Sequence, residues 1–481
     1  MALRVLAVAS ECFPLVKTGG LADVVGALPA ALAAAGIAVT TLLPGYPAVL
    51  AAVAEARPAL ALPELFGGPA RLLRAEHAGL DLILLDAPHL FDRPGNPYLA
   101  PGGTPWADNG RRFAALGAAA ARVATGEVPG PGFDAVHAHD WQAGLVGAYL
   151  RHVAGSAMPL IFTIHNLAFQ GQFPAGLFPA LGLPPEAFAI EGVEYFGQVG
   201  FLKAGLWFAD RITTVSPGYA AEIRTAAGGM GLDGLLRGRG ATVSGILNGI
   251  DDAEWNPATD PRLPVRFDAA DTAPRAANKA ALQARFGLAS APAAPLFLFI
   301  GRLAWQKGID LVLEALPALL GEGGQLAILG TGEAALEEAC LVAAAAHPGR
   351  VGTVLGFDEA LARPGYGGAD AVLVPSRFEP CGLAQLCALR YGALPVVARV
   401  GGLADTVIDA NEAALAAGCG TGVQFAPPAA EALGAAIRRT VALYRDRPAW
   451  RQLQHNAMTA DVSWRRSAAR YAALFQAITR G

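Results

Sequence analysis

A lysine beside two glycines, near the start of the chain, could bind an anion. Lys17 and Thr18 precede the doublet Gly19-Gly20, which lies between an apolar run and a helical pattern. Adjacent glycines let backbone N–H groups approach a ligand closely, and the dipole of a helix favours negative charge at its start. The Lys17 ammonium would add a mobile positive charge. The stretch predicts a phosphate-binding turn; the alternative is an ordinary glycine-rich connection after a first strand.

Two further cations follow a predicted strand in the other half of the chain. Arg302 comes two residues after the apolar run 296–300, and Lys307 lies five residues later. In a site poor in water, a guanidinium and an ammonium that face a diphosphate stabilise the bound ligand and a leaving group that gains negative charge. The alternative interpretation is a solvated loop with two surface cations.

A carboxylate in a later turn could act on a sugar. Glu379 lies in Pro-Ser-Arg-Phe-Glu-Pro-Cys-Gly-Leu-Ala at 375–384, a pattern of strand, turn and helix. At a helix entry it could accept hydrogen bonds from sugar hydroxyls and oppose positive charge that develops on a sugar carbon. The alternative is a carboxylate that only caps the helix. Cys381, in the same turn, is predicted to be a small buried residue, because no obvious base accompanies it.

Polar side chains follow two predicted strands of the first half. Asp140 follows the strand that carries His137 and His139, and His165 ends the next strand. Ligand-binding groups of α/β proteins lie at the carboxyl ends of strands, so Asp140 and His165 are candidate site residues. His137 and His139 share a strand face and could bind a metal, but no third His or Cys cluster lies near them. No metal site is therefore predicted.

Two more glycine turns recur in the second half. Gly-Gly-Leu-Ala-Asp at 401–405 repeats the sequence at 19–23, and each doublet would present backbone amides at a helix start. Gly-Thr-Gly-Glu-Ala-Ala at 330–335 matches the dinucleotide-binding turn, but the acidic residue expected about twenty positions later is missing. The pattern favours a tight helix-entry turn there over an NAD site.

Composition limits the class of protein. The chain has 481 residues, of which 53% are hydrophobic and 16% charged, so it is predicted to be globular with more than one core. A net charge of −4 argues against nucleic acid as a partner. The five cysteines are scattered, which favours reduced thiols in the cytoplasm. The uncharged stretch 24–54 is broken by proline and glycine, so no membrane span is predicted.

The order of apolar runs and helical patterns predicts two α/β domains. A series of strands and helices ends near 246–257, where asparagine, glycine and proline accumulate, and a second series follows. The predicted domains are 1–249 and 250–459. The Ala- and Arg-rich tail 460–481 is predicted to be a helix that packs on one of them.

The chain resembles bacterial glycogen synthases and plant starch synthases. The motifs that carry the resemblance are Lys-Thr-Gly-Gly-Leu-Ala-Asp-Val at 17–24, His-Ala-His-Asp-Trp at 137–141, Thr-Ile-His-Asn-Leu-Ala-Phe-Gln-Gly at 163–171, Leu-Asn-Gly-Ile-Asp at 247–251, Trp-Asn-Pro-Ala-Thr-Asp at 255–260, Trp-Gln-Lys-Gly at 305–308 and Pro-Ser-Arg-Phe-Glu-Pro-Cys-Gly-Leu at 375–383. They occur in order along nearly the whole chain.

The resemblance implies a GT-B fold, an α/β architecture in which two Rossmann-like domains with parallel sheets face a central cleft and the C-terminal helix returns to the first domain. It implies transfer of glucose from ADP-glucose to the non-reducing end of glycogen or another α-1,4-glucan, with retention of configuration and without a cofactor. The alternatives are a GT-B enzyme that uses UDP-glucose or another acceptor, and a catalytically silent glucan-binding protein.

The resemblance also implies roles for individual residues. Lys17, Arg302 and Lys307 would bind the donor diphosphate. Glu379 would act on the donor sugar, and His165 would orient it. The expected catalytic positions are Glu379, His165, Lys307 and Arg302, and the expected substrate-binding positions are Lys17, Gly19, Gly20, Asp23, Asp140, Asn166, Cys381, Gly382, Leu383, Gly401 and Gly402.

Three positions depart from the family pattern. Phe169 stands where tyrosine is usual, and Ala398 and Val400 replace an arginine and a threonine before the second glycine doublet. If the threonine hydroxyl matters, donor affinity is expected to fall by about 0.5–1.5 kcal/mol, as for one neutral hydrogen bond.

Overall fold

The computed structural model describes residues 2–53, 55–356 and 359–480. They form two compact units, one of residues 1–248 with 464–481 and the other of residues 249–463. Both are α/β, as predicted.

Eighteen strands occur in the part of the chain that the structure describes. They are β1 (Leu3–Val8), β2 (Ile37–Pro44), β3 (Arg57–Leu62), β4 (Ala70–His77), β5 (Leu80–Asp86), β6 (Ala135–His139), β7 (Leu160–Ile164), β8 (Gln172–Pro174), β9 (Glu194–Tyr195), β10 (Gln198–Gly200), β11 (Arg211–Thr214), β12 (Val243–Gly245), β13 (Leu296–Ile300), β14 (Gln325–Gly330), β15 (Val351–Leu355), β16 (Ala371–Val374), β17 (Leu394–Ala398) and β18 (Val423–Phe425).

The α-helices of the described residues lie between and after these strands. They are α1 (Gly20–Ala33), α2 (Pro47–Ala52), α3 (Pro88–Phe91), α4 (Asn109–Ala124), α5 (Val146–Ala148), α6 (Phe201–Phe208), α7 (Pro217–Glu222), α8 (Asp233–Gly238), α9 (Arg275–Arg285), α10 (Ile309–Glu314), α11 (Leu316–Gly321), α12 (Ala334–Ala346), α13 (Glu359–Gly368), α14 (Ala384–Arg390), α15 (Gly401–Thr406), α16 (Glu412–Ala416), α17 (Ala430–Arg445), α18 (Arg447–Thr459) and α19 (Trp464–Thr479).

The first unit contains a nine-stranded sheet in the order β12-β11-β7-β6-β1-β2-β5-β4-β3. The chain starts at β1, extends the sheet through β2, and later returns to β1 with β6. The strand order therefore reverses between β1 and β6, and the crevice beyond the carboxyl ends of these two strands is where open α/β sheets bind ligands. The loop with Lys17 follows β1, and Asp140 follows β6.

This sheet is parallel from β12 to β5, as predicted, and it has an antiparallel edge. Strands β4 and β5 form an antiparallel hairpin, and β3 also pairs with β4 in the antiparallel direction. The two turn residues of the hairpin, Ala78 and Gly79, both have positive φ angles, of 49° and 79°. Such a turn matches the twist of adjacent antiparallel strands.

The second unit contains a six-stranded sheet in the order β15-β14-β13-β16-β17-β18, with every pair of neighbours parallel. This is the doubly wound order, and it reverses between β13 and β16. The loop with Arg302 and Lys307 follows β13, and the segment 375–383 follows β16. The two loops that carry the predicted chemistry of this unit therefore meet at one strand edge.

The C-terminal helix belongs to the first unit. It begins at Trp464, later than the predicted 460, because residues 447–459 form the separate helix α18. Trp464, Tyr471 and Phe475 are buried in one apolar cluster with residues of α1 and of the strands β1 and β6. Among the described residues, no helix combines the length and the apolar character that a bilayer crossing needs.

Candidate active site

In the second unit, the structure joins Lys307 and Glu379. Lys307 Nζ lies 2.6 Å from Glu379 Oε2, and Ser376 Oγ donates a hydrogen bond of 3.0 Å to the same carboxylate oxygen. The side chain of Glu379 is 8% exposed and that of Lys307 is 24% exposed. Gly308, with a φ of 71°, lets the two loops touch, because a Cβ there would lie 2.3 Å from the carbonyl oxygen of Pro375. A carboxylate and a cation thus share one strand edge.

Glu379 does not cap a helix, so that alternative is wrong. Helix α14 begins five residues later, and its first amides receive no side-chain cap. The carboxylate instead accepts from Lys307 and Ser376. A cation and a hydroxyl therefore fix the position of this carboxylate. A ligand that reaches the strand edge would meet it in that position.

The glycines of this unit serve close packing. The amide of Gly402 donates to the carbonyl oxygen of Glu379 at 3.0 Å, so it is used within the chain. A Cβ on Gly402 would lie 2.4 Å from Cys381, which is buried as expected. Gly382 has a φ of 75°, and Gly401 opens α15 with a φ of 41°.

Arg302 lies in the same loop as Lys307. Its side chain is exposed and makes no hydrogen bond or ion pair with any described residue. A residue that sequence reasoning missed ties the two loops together: Arg377 forms a bidentate ion pair with Asp310, at 2.9 and 2.6 Å, and stacks 4.5 Å over the ring of Trp305. Its spacing from Trp305 gives no sequence signal.

The dinucleotide-like turn at 330–335 is a helix entry, as predicted. Helix α12 begins at Ala334, and the carboxylate of Glu337 accepts from the hydroxyl of Thr331 and the amide of Gly332. A Cβ on Gly330 or Gly332 would lie 2.0 or 2.1 Å from a carbonyl oxygen of the loop after β13. The glycines therefore allow this turn to pack against that loop.

In the first unit, a buried carboxylate that sequence reasoning missed organises the glycine turn. Glu11, 3% exposed, accepts from the amide and the hydroxyl of Thr18, from the amide of Gly19 and from the hydroxyl of Tyr98. Of the two glycines predicted to bind a phosphate, Gly19 thus donates its amide to Glu11 at 3.3 Å. The only sequence signal was an acidic residue shortly after the first strand. The doublet's second residue, Gly20, begins α1.

Lys17 makes a weaker contact than Lys307. Its Nζ lies 2.7 Å from Asp23 Oδ1, with the two side chains 34% and 25% exposed, and 5.5 Å from the centre of the Phe13 ring. Ion pairs this accessible to water contribute about 0–1 kcal/mol. A diphosphate can therefore compete with Asp23 for this ammonium.

Asp140 connects two neighbouring strand ends. It has a φ of 55°, rare for a residue with a side chain, and its Oδ1 accepts from the amide of His165 at 2.7 Å. Burial raises the pKa of Asp140 to about 7, although amide hydrogen bonds from His165 and Asn166 lower it. The carboxylate fixes the backbone at His165. Asn166 itself uses its side-chain oxygen to accept from the amide of Ala168.

Three histidines of this unit form a buried stack. The rings of His137 and His139 are 4.0 Å apart, and His139 Nδ1 lies 3.0 Å from His165 Nε2. Burial lowers the pKa of His137 and of His165 to about 3, and it lowers the pKa of His139 well below the usual value. All three rings are therefore neutral near pH 7. Among the described residues, no group of three or more potential ligands is arranged to hold a metal ion.

The neutral stack predicts acid sensitivity. Between pH 3 and 6.5, the unfolded chain binds protons at these histidines that the folded chain does not, so their contribution to stability is present above pH 6.5 and is lost as the pH falls. Asp140 acts oppositely, because its raised pKa lets the folded chain hold a proton between about pH 4 and 7.

Replacing one histidine isolates its effect. Near pH 5, His137→Gln is expected to lower the slope of unfolding free energy against pH by about 1.4 kcal/mol per pH unit, the value for one proton. Urea unfolding at pH 5.0, 5.5 and 6.0 measures this slope. His455→Gln is the control, because that ring is exposed. An equal slope for wild type and His137→Gln would contradict the prediction.

The three departures from the family pattern occupy different surroundings. Phe169 is 52% exposed, Ala398 is fully buried in β17, and Val400 directly precedes α15. An arginine side chain at 398 would have no room within this core without rearrangement.

Comparison with known proteins agrees with this organisation. Residues 4–238 match the model of the starch synthase catalytic domain, and residues 282–456 match that of glycosyl transferases group 1. A glycogen synthase from Acidiphilium cryptum is 60% identical over 477 residues, which cover 99% of this chain and 100% of that protein. One from Rhodopseudomonas palustris is 59% identical over 474 residues, covering 98% and 97% of the two chains.

A solved structure extends the similarity to three dimensions. The catalytic domain of starch synthase IV from Arabidopsis thaliana, bound to ADP and acarbose, superposes with a TM-score of 0.89 at 32% identity, and the match covers 100% of both chains. The predicted GT-B class of fold is thereby confirmed. The chain belongs to the family of bacterial glycogen synthases and plant starch synthases, and it is a glycosyltransferase.

Proposed function

We propose that this glycosyltransferase moves glucose from ADP-glucose to the non-reducing end of an α-1,4-glucan, with retention of configuration. The observation that carries the proposal is the contact between Lys307 and Glu379 at the switch point of the second sheet. A cation for a diphosphate and a carboxylate for a sugar lie together there, and Arg302 adds an exposed guanidinium in the same loop. This combination suits a sugar attached to a nucleoside diphosphate.

The second unit is accordingly the donor side. Lys307 and Arg302 would neutralise the diphosphate as it leaves, and Glu379 would oppose the positive charge that develops on the sugar carbon. Lys307 would then exchange its contact with Glu379 for one with the diphosphate, which leaves the carboxylate charge available to the sugar. The acceptor hydroxyl would attack from the face that the nucleotide leaves, which retains the configuration.

The first unit is the acceptor side. Lys17 would add a further contact to the diphosphate, and its accessible pair with Asp23 can exchange. Asp140, Asp23 and Asn166 would accept hydrogen bonds from sugar hydroxyls, and His165 would orient the transferred glucose. The assignments of Asp140, His165 and Asn166 follow the strand ends at which these residues lie.

The relatives support the choice of substrates. The curated relatives are glycogen synthases, and the solved relative binds ADP. A UDP-glucose enzyme would share the diphosphate contacts and differ at the base. A silent glucan-binding protein has no need for cations at 302 and 307. We place the reaction in the cytoplasm, where scattered cysteines such as the five of this chain stay reduced.

The test is transfer of labelled glucose to glycogen from ADP-glucose and from UDP-glucose in parallel, with and without a chelator. We expect transfer from ADP-glucose at least about tenfold faster than from UDP-glucose, corresponding to about 1.4 kcal/mol of discrimination. The chelator is expected to have no effect, because lysine and arginine would neutralise the leaving group. Absence of transfer from both donors would overturn the proposal, and preference for UDP-glucose would overturn the assigned donor.

A further inference from the structure

The hydrogen bond between His139 and His165 couples two neighbouring strand ends. His139 is the last residue of β6, His165 directly follows β7, and the two strands pair in parallel with His139 opposite Thr163. Nδ1 of His139 lies 3.0 Å from Nε2 of His165, and the two residues are 1% and 8% exposed. The contact is short and shielded from water. One ring nitrogen of His165 is thereby occupied within the protein.

Only one of these two nitrogens can carry a proton in this contact. Both rings are neutral, because burial lowers the pKa of each. A neutral imidazole has one N–H donor and one acceptor nitrogen, so either His139 donates from Nδ1 or His165 donates from Nε2. The neutral histidine side chain intrinsically favours the proton on Nε2. Donation from His165 leaves both rings in that favoured form, whereas donation from His139 places both in the other.

We propose that His139 is a positioning residue that accepts a hydrogen bond from Nε2–H of His165 and holds that ring as the Nε2–H tautomer. Nδ1 of His165 is then an unprotonated acceptor, suited to a hydroxyl of the bound sugar. The backbone of His165 is fixed independently, because its amide donates to Asp140 at 2.7 Å. Ring and backbone are thus held by two different residues. The inference rests on the proposed function, in which His165 contacts the sugar.

The tautomer is measured directly by nitrogen NMR. In protein labelled with ¹⁵N-histidine, the eight histidines give resolved pairs of ring signals, and His165→Gln identifies the pair of His165. At pH 7.5 we expect a protonated Nε2 and an unprotonated Nδ1 for His165. A protonated Nδ1, or shifts averaged between the two forms, would overturn the inference in the wild-type protein without any variant.

Substitutions at 139 then test the cause. His139→Phe keeps an aromatic ring but removes the acceptor, so the signals of His165 are expected to move toward averaged values. His139→Asn restores an acceptor oxygen near the position of Nδ1 and is expected to restore the fixed tautomer. His137→Phe is the matched control, because His137 bonds to Thr163 and not to His165. An unchanged His165 spectrum in His139→Phe would contradict a role for His139.

Kinetics separate this inference from the proposed function. His139→Phe is expected to lower kcat for glucose transfer about tenfold, with little change in the KM for the donor, since a misoriented group near the reacting atoms acts on turnover. His139→Asn should recover most of that loss. If the wild type shows the fixed tautomer but no glucan transfer, the substrate assignment fails while the ring assignment stands. If the wild type shows the fixed tautomer but all variants have equal kcat, then His139 has no functional role in glucose transfer.

Discussion

Replacing Glu379 with alanine is expected to lower kcat by about 10²–10³-fold, which is typical for removal of one preorganised electrostatic contact at a reacting centre. The carboxylate is nearly buried and is held by Lys307 and Ser376, so its position is set before any ligand arrives. Its charge would matter most when the sugar carbon becomes positive, and little when the donor only binds. The substitution should weaken binding of the transition state much more than binding of the ground state. The Kd for ADP should therefore change by less than about tenfold.

Two further variants sharpen this experiment. Glu379→Gln keeps the shape but removes the charge, and it should lose nearly as much turnover as alanine. Glu333→Gln is the matched control, since that exposed carboxylate lies near the same strand edge and accepts from the amide of Trp305. Turnover of Glu379→Gln close to wild type would show that charge at 379 is not used. Turnover from labelled ADP-glucose and calorimetric titration with ADP supply the two measurements.

Replacing Asp260 with alanine is expected to reduce the free energy of unfolding by about 3–5 kcal/mol, the usual effect of removing one partner of a buried ion pair. Asp260 and Arg363 have side chains that are 0% and 1% exposed, and their closest charged atoms lie 3.5 Å apart. The hydroxyl of Tyr391 also donates to Asp260, at 2.5 Å. Without the carboxylate, the buried guanidinium of Arg363 loses a nearby negative charge, and the buried hydroxyl of Tyr391 loses its acceptor.

The same arginine supplies a control. Glu254 also pairs with Arg363, but its side chain is 54% exposed, so Glu254→Gln should change the unfolding free energy by less than about 1 kcal/mol. Urea unfolding followed by tryptophan fluorescence suits both variants, because Trp255 stacks 4.3 Å from the guanidinium of Arg363. Equal losses for the two variants would show that burial does not distinguish the two carboxylates.

The sequence predicted most strands of both sheets because strands that are buried on both faces read as short apolar runs. The run at 296–300 became β13 with the predicted ends, and the strands predicted before Asp140 and His165 became β6 and β7. The antiparallel edge formed by β3 and β4 was missed, since these strands carry arginines and a glutamate and lack such a run. Short strands such as β9, which has two residues, are too short to show a periodic sequence pattern.

The motifs predicted which residues carry the chemistry, but not their partners. Lys307 and Glu379 are 72 positions apart, and only the strand order places their loops at one edge. The same holds for Glu11 and Tyr98, which are 87 positions apart. Burial also raises the pKa of Asp140, and this burial depends on neighbours that the sequence does not show.

The sequence alone therefore determined the α/β class, the family and the residue types at the strand ends, because apolar periodicity and local motifs are properties of short stretches of chain. The tertiary structure decided which donors are already used within the protein, as with the amides of Thr18 and Gly402, and which charges are paired or neutral. Those properties depend on desolvation and on contacts between residues far apart in the chain, which no local pattern records.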